Sequence, residues 1–331
     1  MTTIPIFFTF DRHYVLAAGV ALHSLLETAD PHYRYRLYVV HTDLRPRHRR
    51  LLERVVSRFA HARLDFIDAS GYQTGWENFR HKSHFSKEIF YKLTAADLFP
   101  QYDRILFSDV DVIFTDDVAP AYFLFPDDND FYYAGTRPIE ENPNLPRYRA
   151  QFTPEEIDAI NMYEISAGFM LINLRQLRAD RRQPELMDYF RRHAGRLILP
   201  EQDCIALCLA PHIRFLDYKY VVCAAQFSQQ PEQVRYNTNN PALADPQAAA
   251  EIYRRMLTDV VQLHYPGAEK PWNNSLHRRS RFNLWFAACR RAGLTGYWLR
   301  CQPLFVRQRL RRYSLRRFIR KHLSHHATSS C

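Results

Sequence analysis

The sequence predicts an α/β protein of the Rossmann-like type, in which helices cover both faces of a mostly parallel sheet. Short apolar segments alternate with amphipathic helical segments between residues 4 and 68, as in a β-α-β-α-β unit. The segment Arg104–Phe114, RILFSDVDVIF, has the continuous apolar runs that are typical of strands buried on both faces. Asp11 and Asp109 follow predicted strands, at the sheet edge where α/β proteins bind ligands.

Hydrophobic periodicity defines the elements before residue 100. Apolar residues three and four positions apart predict helices, whereas short apolar runs predict strands. One helix is predicted to begin at Ser86, because serine favours the N-cap, and to end before Pro100. The predicted elements are strands at Ile4–Phe10, Leu37–Val40 and Leu64–Ile67, and helices at Val15–Leu26, Arg47–Phe59 and Ser86–Leu98.

The pattern is less regular after Phe114. Residues 138–154 hold four prolines and lack periodicity, which predicts a long loop that could cover a site. Gly168 interrupts an apolar strand, where the missing side chain would let a ligand approach the backbone. The predicted elements are strands at Phe131–Ala134, Glu164–Leu174 and Asp259–His264, helices at Glu185–His193 and Gln202–Leu209, and a polar surface segment at Gln229–Gln247.

Asp109 and Asp111 are separated by one residue. Side chains at i and i+2 of an extended chain point to the same side, so these carboxylates would face one side and Val110 the other. Two neighbouring carboxylates at the end of a buried strand are costly unless a cation neutralises them, and a hard divalent cation prefers oxygen ligands. Such a cation would keep coordination sites for the phosphates of a nucleotide diphosphate. The alternative is a solvated turn without a ligand.

The net charge of +10 originates at the C-terminal end of the chain. Residues 273–331 contain 14 Lys and Arg and no Asp or Glu, which leaves 31 basic and 35 acidic residues before them. The body of the chain is therefore slightly acidic and its tail strongly basic. A basic block of this kind attracts anionic lipid, nucleic acid or an acidic polymer.

Other features narrow the class of protein. No segment reaches the ~18 apolar residues of a membrane span, and the opening residues do not resemble a signal peptide. The six cysteines form no C-x-x-C pair and no zinc-type spacing with histidine, which favours reduced thiols in the cytoplasm. His81 and His84 lie in a polar loop, where we expect solvation rather than metal binding.

The segment His264–Trp272, HYPGAEKPW, resembles the H-x-x-G-x-x-K-P-W signature of glycosyltransferase family 8, a group of retaining, metal-dependent transferases that use UDP-sugars. The resemblance extends over residues 4–285. It implies a nucleotide-diphospho-sugar transferase fold of the GT-A type, with the catalytic domain at residues 1–272. The other similar segments, in the family's order, are FTFDRHYVLAAGVALHSLL, FSDVD, ISAGFMLINL and PEQD.

The resemblance also implies a metal and diphosphate site. Asp109, Asp111 and His264 would bind Mn²⁺ or Mg²⁺, because a neutral imidazole can complete a site begun by two carboxylates. Lys270 would hold a diphosphate oxygen as a point charge. Gly267 would let a backbone amide approach the same group.

Further family positions imply contacts with the UDP-hexose. Asp11 and Tyr14 would bind uracil by hydrogen bonding and stacking. Gln202 would lie near the reactive carbon of the sugar, and Glu201 and Asp109 complete the set of predicted catalytic residues. The remaining predicted donor-binding residues are Thr9, Lys92, Ser108, Val110, Ala167 and Gly168.

Several positions depart from the family pattern. Ser166 stands where the family usually has Asn, Glu201 where it has Asp, and Lys92 where it has Arg. Thr136 and Arg137 occupy a place where related transferases can present an acid. These positions would face the sugar or the acceptor, so the resemblance supports UDP and metal and leaves the hexose open.

Two mechanisms could give retention at the anomeric carbon. Double displacement needs a protein nucleophile, and Glu201 is the carboxylate that the resemblance places nearby. Gln202 is a poor nucleophile but could orient the sugar. We favour front-face attack, in which an oxygen of the departing UDP helps to deprotonate the acceptor hydroxyl.

Residues 273–331 are predicted to form a basic, aromatic-rich helical tail. Phe282, Trp285, Phe286 and Cys289 share one helical face with arginines beside it, a pattern typical of helices that bind an anionic membrane surface. The alternatives are a solvated tail or a helix that docks on another protein. Nucleic acid is not expected as a partner, because the body of the chain is acidic.

The sequence thus predicts a transferase that moves galactose or glucose from a UDP-hexose to a glycan or glycolipid, in lipopolysaccharide or surface-polysaccharide biosynthesis. The protein would be cytoplasmic and peripherally associated with the inner face of the cell membrane. Two alternatives stay open, namely a glycogenin-like protein that glycosylates its own tyrosine, and a UDP-sugar-binding protein without activity.

Overall fold

The computed structural model describes residues 2–72, 87–126, 130–267, 269–273 and 281–312. Within these ranges the chain forms two sheets with helices around them. His81, His84 and the predicted N-cap Ser86 lie outside the described residues, as does the tail beyond residue 312.

The strands of the described chain are β1 (Thr3–Thr9), β2 (Arg34–His41), β3 (Ala62–Asp68), β4 (Arg104–Ser108), β5 (Val112–Phe114), β6 (Tyr133–Thr136), β7 (Phe169–Asn173), β8 (Ile213–Leu216), β9 (Val222–Cys223) and β10 (Gln262–His264). The large sheet has the order β3-β2-β1-β4-β7-β6-β8, and the small sheet has the order β5-β10-β9. In the large sheet β7 runs antiparallel to β4 and β6, whereas the remaining pairs are parallel. This arrangement confirms the predicted mostly parallel α/β fold.

The helices of the described chain are α1 (Val15–Thr28), α2 (Pro46–Val56), α3 (Ala95–Leu98), α4 (Ala119–Tyr122), α5 (Leu145–Arg149), α6 (Pro154–Tyr163), α7 (Leu174–Ala179), α8 (Arg182–His193), α9 (Pro200–Leu209), α10 (Pro246–Thr258), α11 (Phe282–Arg291) and α12 (Thr295–Arg312). Phe7 and Phe107 pack in a core cluster with residues of α8 and α9. Ile6, Phe8 and Leu106 pack with residues of α1 and α2. Alternating side chains of the central strands therefore enter two cores, one on each face of the sheet.

The segment Arg104–Phe114 forms two strands in different sheets rather than one extended strand. β4 ends at Ser108, whereas β5 begins at Val112 and pairs with β10. The two carboxylates do face the same place, as expected, but they do so from outside the strands rather than by the alternation of one extended strand. Both acids lie in the turn that leads from one sheet to the other, where their side chains do not have to follow the alternation of a strand.

The predicted helix Ser86–Leu98 is also different. The described part is a 3₁₀ segment at Lys87–Thr94 that continues into α3. A 3₁₀ helix has three residues per turn, so residues three positions apart lie on one face. Here, however, every residue from Phe90 to Ala96 is buried, so the segment is covered on all sides rather than on one face.

Residues 138–154 contain α5, so they are not one continuous loop. The helices α6 and α10 were not predicted, although both begin with a local signal. The side chains of Thr153 and Asp245 accept hydrogen bonds from backbone N–H groups of the first turn, and each is followed by proline. A cap residue followed by proline is typical of a helix start.

Helix α11 packs against the body of the protein. Phe282, Trp285 and Cys289 are buried in a cluster with Trp272 and residues of α1. The ring centroids of Trp285 and Trp272 are 5.4 Å apart. The apolar face that the sequence assigned to a membrane is therefore covered by protein, and the division of the chain after residue 272 stays a prediction. None of the described helices has the length and apolar composition needed to cross a bilayer.

Replacing Trp285 by alanine is expected to lower the free energy of unfolding by about 3–5 kcal/mol, because a fully buried indole leaves a cavity between α11 and α1. Urea denaturation measures this change. Leu299→Ala is the matched control, since Leu299 is 55% exposed and its loss should change stability by less than about 0.5 kcal/mol. Equal effects of the two substitutions would show that α11 is not anchored through Trp285.

Candidate active site

The turn between β4 and β5 is held by backbone hydrogen bonds from both sides. The N–H of Asp109 donates to the carbonyl of Gly168 at 3.0 Å, and the N–H of Tyr265 donates to the carbonyl of Asp111 at 2.9 Å. Gly168 directly precedes β7 and Tyr265 directly follows β10. The two acids are therefore positioned by strands that belong to different sheets.

His264 joins these two acids. It is the last residue of β10, which pairs antiparallel with β5 so that His264 lies opposite Val112. His264 Nε2 is 3.3 Å from Asp111 Oδ1 and 3.9 Å from Asp109 Oδ2. Ligand atoms of the three side chains all lie within 4.8 Å of one another. Two carboxylates and an imidazole at this spacing fit a divalent cation such as Mn²⁺ or Mg²⁺.

Gly168 lets the imidazole of His264 come close to the backbone. A Cβ at Gly168 would lie 3.3 Å from both Cε1 and Nδ1 of that ring. The sequence predicts a close approach at this glycine and assigns it to a ligand. In the structure His264 makes that approach, so a side chain here would press on the ring.

Lys270 neutralises the second acid. Its Nζ lies 2.5 Å from Asp111 Oδ2 and donates to the carbonyl of Tyr265 at 2.7 Å. Burial acts to raise the pKa of Asp111, but the charges on His264 and Lys270 outweigh it, so the pKa lies below its ordinary value.

The contact between Asp111 and His264 favours the protonated form of the imidazole. Burial acts to lower the pKa of His264, but the Asp111 carboxylate outweighs burial and raises that pKa to about 10. Because a metal binds the neutral imidazole, binding of a cation would release this proton.

Lys92 links the first acid to α9. Its ammonium group is buried and lies 3.6 Å from Asp109 Oδ1 and 3.5 Å from Glu201 Oε1. It also donates to the carbonyl of Ala167 at 3.2 Å and lies 4.4 Å from the ring centroid of Phe107. Lys92 is therefore not a solvated surface lysine. A buried ammonium needs such partners, since an unpaired charge would be costly.

Glu164 is an acid that the sequence analysis did not select. It is 6% exposed and accepts hydrogen bonds from Gln202 Nε2 at 3.2 Å and from Asn142 Nδ2 at 3.0 Å. Burial, together with the charge of Asp203, raises the pKa of Glu164 to about 8. The sequence signal that could have identified Glu164 is its position as a charged residue directly before the apolar segment ISAGFMLINL.

Asp203 stabilises the start of α9. Its Oδ1 accepts a hydrogen bond from the hydroxyl of Tyr148 at 2.5 Å, and its Oδ2 accepts from the N–H groups of Ile198 and Leu199 at 2.7 and 3.0 Å. Burial raises the pKa of Asp203 to about 6 despite these bonds. The two residues before it, Glu201 and Gln202, are thereby fixed at the first turn of the helix.

Asp11 and Tyr14 lie beyond the end of β1. Asp11 accepts a hydrogen bond from the N–H of His13 at 2.8 Å and caps a 3₁₀ turn. Tyr14 is half-buried, and its ring centroid is 5.9 Å from that of Trp272. Thr9, at the end of β1, is buried. The structure thus places the N-terminal segment beside the K-P-W segment, and the uracil contacts stay a prediction.

Three other predicted donor-binding residues have local roles. Ser108 is buried, donates to the carbonyl of Asp109 at 2.7 Å and accepts from Gln262 Nε2 at 2.9 Å. Val110 is buried in the core that contains residues of α1 and α2. Gly267 is exposed and has a φ of +82°, which favours glycine. Their contacts with a donor stay predictions.

Comparison with known proteins gives a family and distant relatives. The model of the family described as glycosyl transferase family 8 matches residues 5–275. General stress protein A of Bacillus subtilis (strain 168) is 21% identical over 271 residues, which cover 80% of this chain and 86% of that protein. The lipopolysaccharide 1,2-glucosyltransferase of Escherichia coli is 21% identical over 277 residues, which cover 82% of this chain and 74% of that protein.

Solved structures share the fold. The bifunctional glycosyltransferase WbbM superposes with a TM-score of 0.69 at 16% identity, over 91% of this chain and 52% of that protein, so this chain spans about half of WbbM. The galactosyltransferase LgtC, solved with donor and acceptor sugar analogues, superposes with a TM-score of 0.61 at 17% identity, over 86% of this chain and 95% of LgtC. These superpositions confirm the GT-A type of fold.

Glu164 is expected to make the folded protein less stable as pH rises. Its folded-state pKa of about 8 lies above the ordinary value of 4.5, so the folded state binds the proton more tightly. The contribution of Glu164 to the free energy of unfolding therefore falls between pH 4.5 and about 8. Urea denaturation at pH 6 and pH 9 should show a smaller decrease for Glu164→Gln than for the wild type.

The control for this measurement is Glu251→Gln, because the Glu251 side chain is 76% exposed. This variant should keep the pH dependence of the wild type. The same decrease in Glu164→Gln and the wild type would show that Glu164 is ionised with an ordinary pKa.

Proposed function

The chain belongs to glycosyltransferase family 8, and from this premise we propose that it is a retaining hexosyltransferase that moves galactose or glucose from a UDP-hexose to a glycan or glycolipid. The group formed by Asp109, Asp111 and His264 carries the proposal. This group lies at the carboxyl end of β4, where an α/β sheet binds its ligand. The relatives named as lipopolysaccharide glucosyltransferase and galactosyltransferase favour the synthesis of lipopolysaccharide or another surface glycan.

The proposed cofactor is Mn²⁺ or Mg²⁺, held by Asp109, Asp111 and His264. When bound, such an ion stabilises the negative charge of the departing diphosphate. Lys270 would add a second positive charge, because its Nζ already lies beside Asp111. Positive groups fixed before the reaction stabilise developing charge without having to reorganise.

The proposed mechanism is front-face attack of the acceptor hydroxyl. A double displacement would need Glu201 as the nucleophile, but Glu201 is buried and its Oε1 faces the ammonium group of Lys92 at 3.5 Å. Pairing with a cation lowers the nucleophilicity of a carboxylate. Gln202, on the adjacent position of α9, would orient the sugar.

The proposed location is the inner face of the cell membrane, with the protein bound peripherally from the cytoplasm. The apolar face of α11 is covered, so the contact would come from α12. Leu299, Leu304 and Val306 are 55%, 47% and 41% exposed on this helix. Arg300 and Arg307 are exposed beside them. Exposed apolar and basic residues on one helix suit the surface of an anionic bilayer.

Helix α2 extends this basic surface. Arg58, which follows α2, donates to the carbonyl of Arg291 at 3.2 Å, so the end of α2 lies beside the end of α11. Arg47, Arg50 and Arg54 are exposed on α2. Basic residues from two distant parts of the sequence therefore lie next to each other.

The activity is tested by manganese-dependent release of UDP from UDP-glucose, UDP-galactose and their N-acetyl forms. Asp111→Asn is expected to lower turnover by about 100-fold or more, because one metal ligand and the partner of Lys270 are lost. The same variant should weaken manganese-dependent binding of UDP in calorimetry. Asp116→Asn is the control, since Asp116 is exposed after β5. Unchanged turnover in Asp111→Asn would refute the metal assignment. Binding of a UDP-sugar without release of UDP would instead indicate a UDP-sugar-binding protein without activity.

Membrane association is tested by flotation with liposomes. Binding should increase with the fraction of anionic lipid and decrease when Leu299 and Leu304 are both replaced by serine. Met162→Ser is the matched control, because Met162 is 52% exposed on α6, away from the tail. Flotation that does not depend on anionic lipid, or that the control reduces equally, would contradict this location.

A further inference from the structure

Glu164 is a costly residue for the fold. It is buried between α9 and the segment that leads to α5. Among the described residues, the charge that acts on it is the carboxylate of Asp203 rather than a cation. By contrast, the nearby Glu201 is paired with Lys92. An apolar or amide side chain at this position, before β7, would cost less free energy to bury. A buried acid without a counter-charge is a candidate for a functional role.

The hydrogen bonds of Glu164 have a defined direction. An ionised carboxylate only accepts, so the bond at 3.2 Å must come from Nε2 of Gln202, and the bond at 3.0 Å must come from Nδ2 of Asn142. The amide of Gln202 is planar, with Oε1 and Nε2 on opposite branches. When Nε2 binds Glu164, Oε1 is turned away from it. A neutral partner could instead bind either branch.

We propose that Glu164 is a positioning residue that fixes the side-chain amide of Gln202, so that Oε1 rather than Nε2 is presented to the donor sugar. The orientation follows from the contacts of Glu164, whereas its catalytic consequence rests on the proposed function. Positive charge builds on the anomeric carbon as UDP departs. An amide oxygen directed at this carbon stabilises that charge, and an N–H group in its place would oppose it.

The proton of Glu164 provides a readout of this role. A protonated Glu164 has an O–H to donate as well as an oxygen that accepts, so it can bind Gln202 through Oε1 or Nε2 and no longer fixes the amide in one orientation. The groups that face Glu164 are Asn142 from the segment before α5, Tyr148 from α5, and Gln202 and Asp203 from α9. Turnover should therefore rise with pH as Glu164 ionises, and Glu164→Gln should lose that rise.

The first experiment measures the contact without a substrate. Carbon-13 labelling of glutamate carboxyl groups allows Glu164 to be titrated by NMR, with its signal assigned by its loss in Glu164→Gln. Gln202→Ala should raise the titration midpoint by about one pH unit, because the ionised form loses a charge-assisted hydrogen bond. Gln229→Ala is the control, since Gln229 Nε2 donates to Glu140 instead, at 3.4 Å. An unchanged midpoint in Gln202→Ala would overturn the proposal.

The second experiment is a double-mutant cycle on UDP release. Glu164→Gln should lower kcat about ten-fold and leave KM for the donor within about two-fold, as expected when an interaction of the transition state is lost. In the Gln202→Ala background the same substitution should change kcat by less than about two-fold. Equal factors in both backgrounds would mean that Glu164 acts independently of Gln202. If the wild type releases no UDP, the proposed function fails, and the NMR titration still decides the orientation.

Discussion

The pairing of β5 with β10 is the interaction on which the site depends. This short antiparallel ladder brings His264 opposite Val112 and carries Lys270 to within 2.5 Å of Asp111, although these two residues are 159 positions apart in the chain. Without the second sheet, Asp111 would lack the imidazole of His264 and the ammonium group of Lys270. The small sheet, rather than the larger one, therefore completes the candidate metal site.

Charge balance decides how the site is built around this pairing. Lys270 and His264 pair with Asp111, whereas Asp109 and Glu201 share the single positive charge of Lys92. Each lysine is buried, so each contact strengthens the field in a region with little water. Glu164 does not share in this balance, which explains why its pKa is raised whereas that of Asp111 is lowered. The same region therefore contains one acid suited to bind a cation and one suited to hold a proton.

The C-terminal helices α11 and α12 pack against the body of the protein. Trp285 contacts Trp272 at the end of the K-P-W segment, and the side chain of Trp298 donates to the carbonyl of Trp272 at 3.0 Å. These contacts hold α11 and α12 against the residues that follow Lys270.

The sequence by itself determined the order of strands and helices before residue 68, because local periodicity depends on neighbouring positions. Its motifs also selected Asp109, Asp111 and His264, which the structure brings together as a candidate metal site. The sequence also contained the unused signals for α6 and α10, a cap residue followed by proline. Only the tertiary structure decided that Asp109 and Asp111 lie in a turn between two sheets, that the apolar face of α11 is covered, and that Glu164 binds Gln202. These features depend on which distant segments pack together, and the burial and counter-charge of a side chain are properties of that packing rather than of its neighbours in the chain.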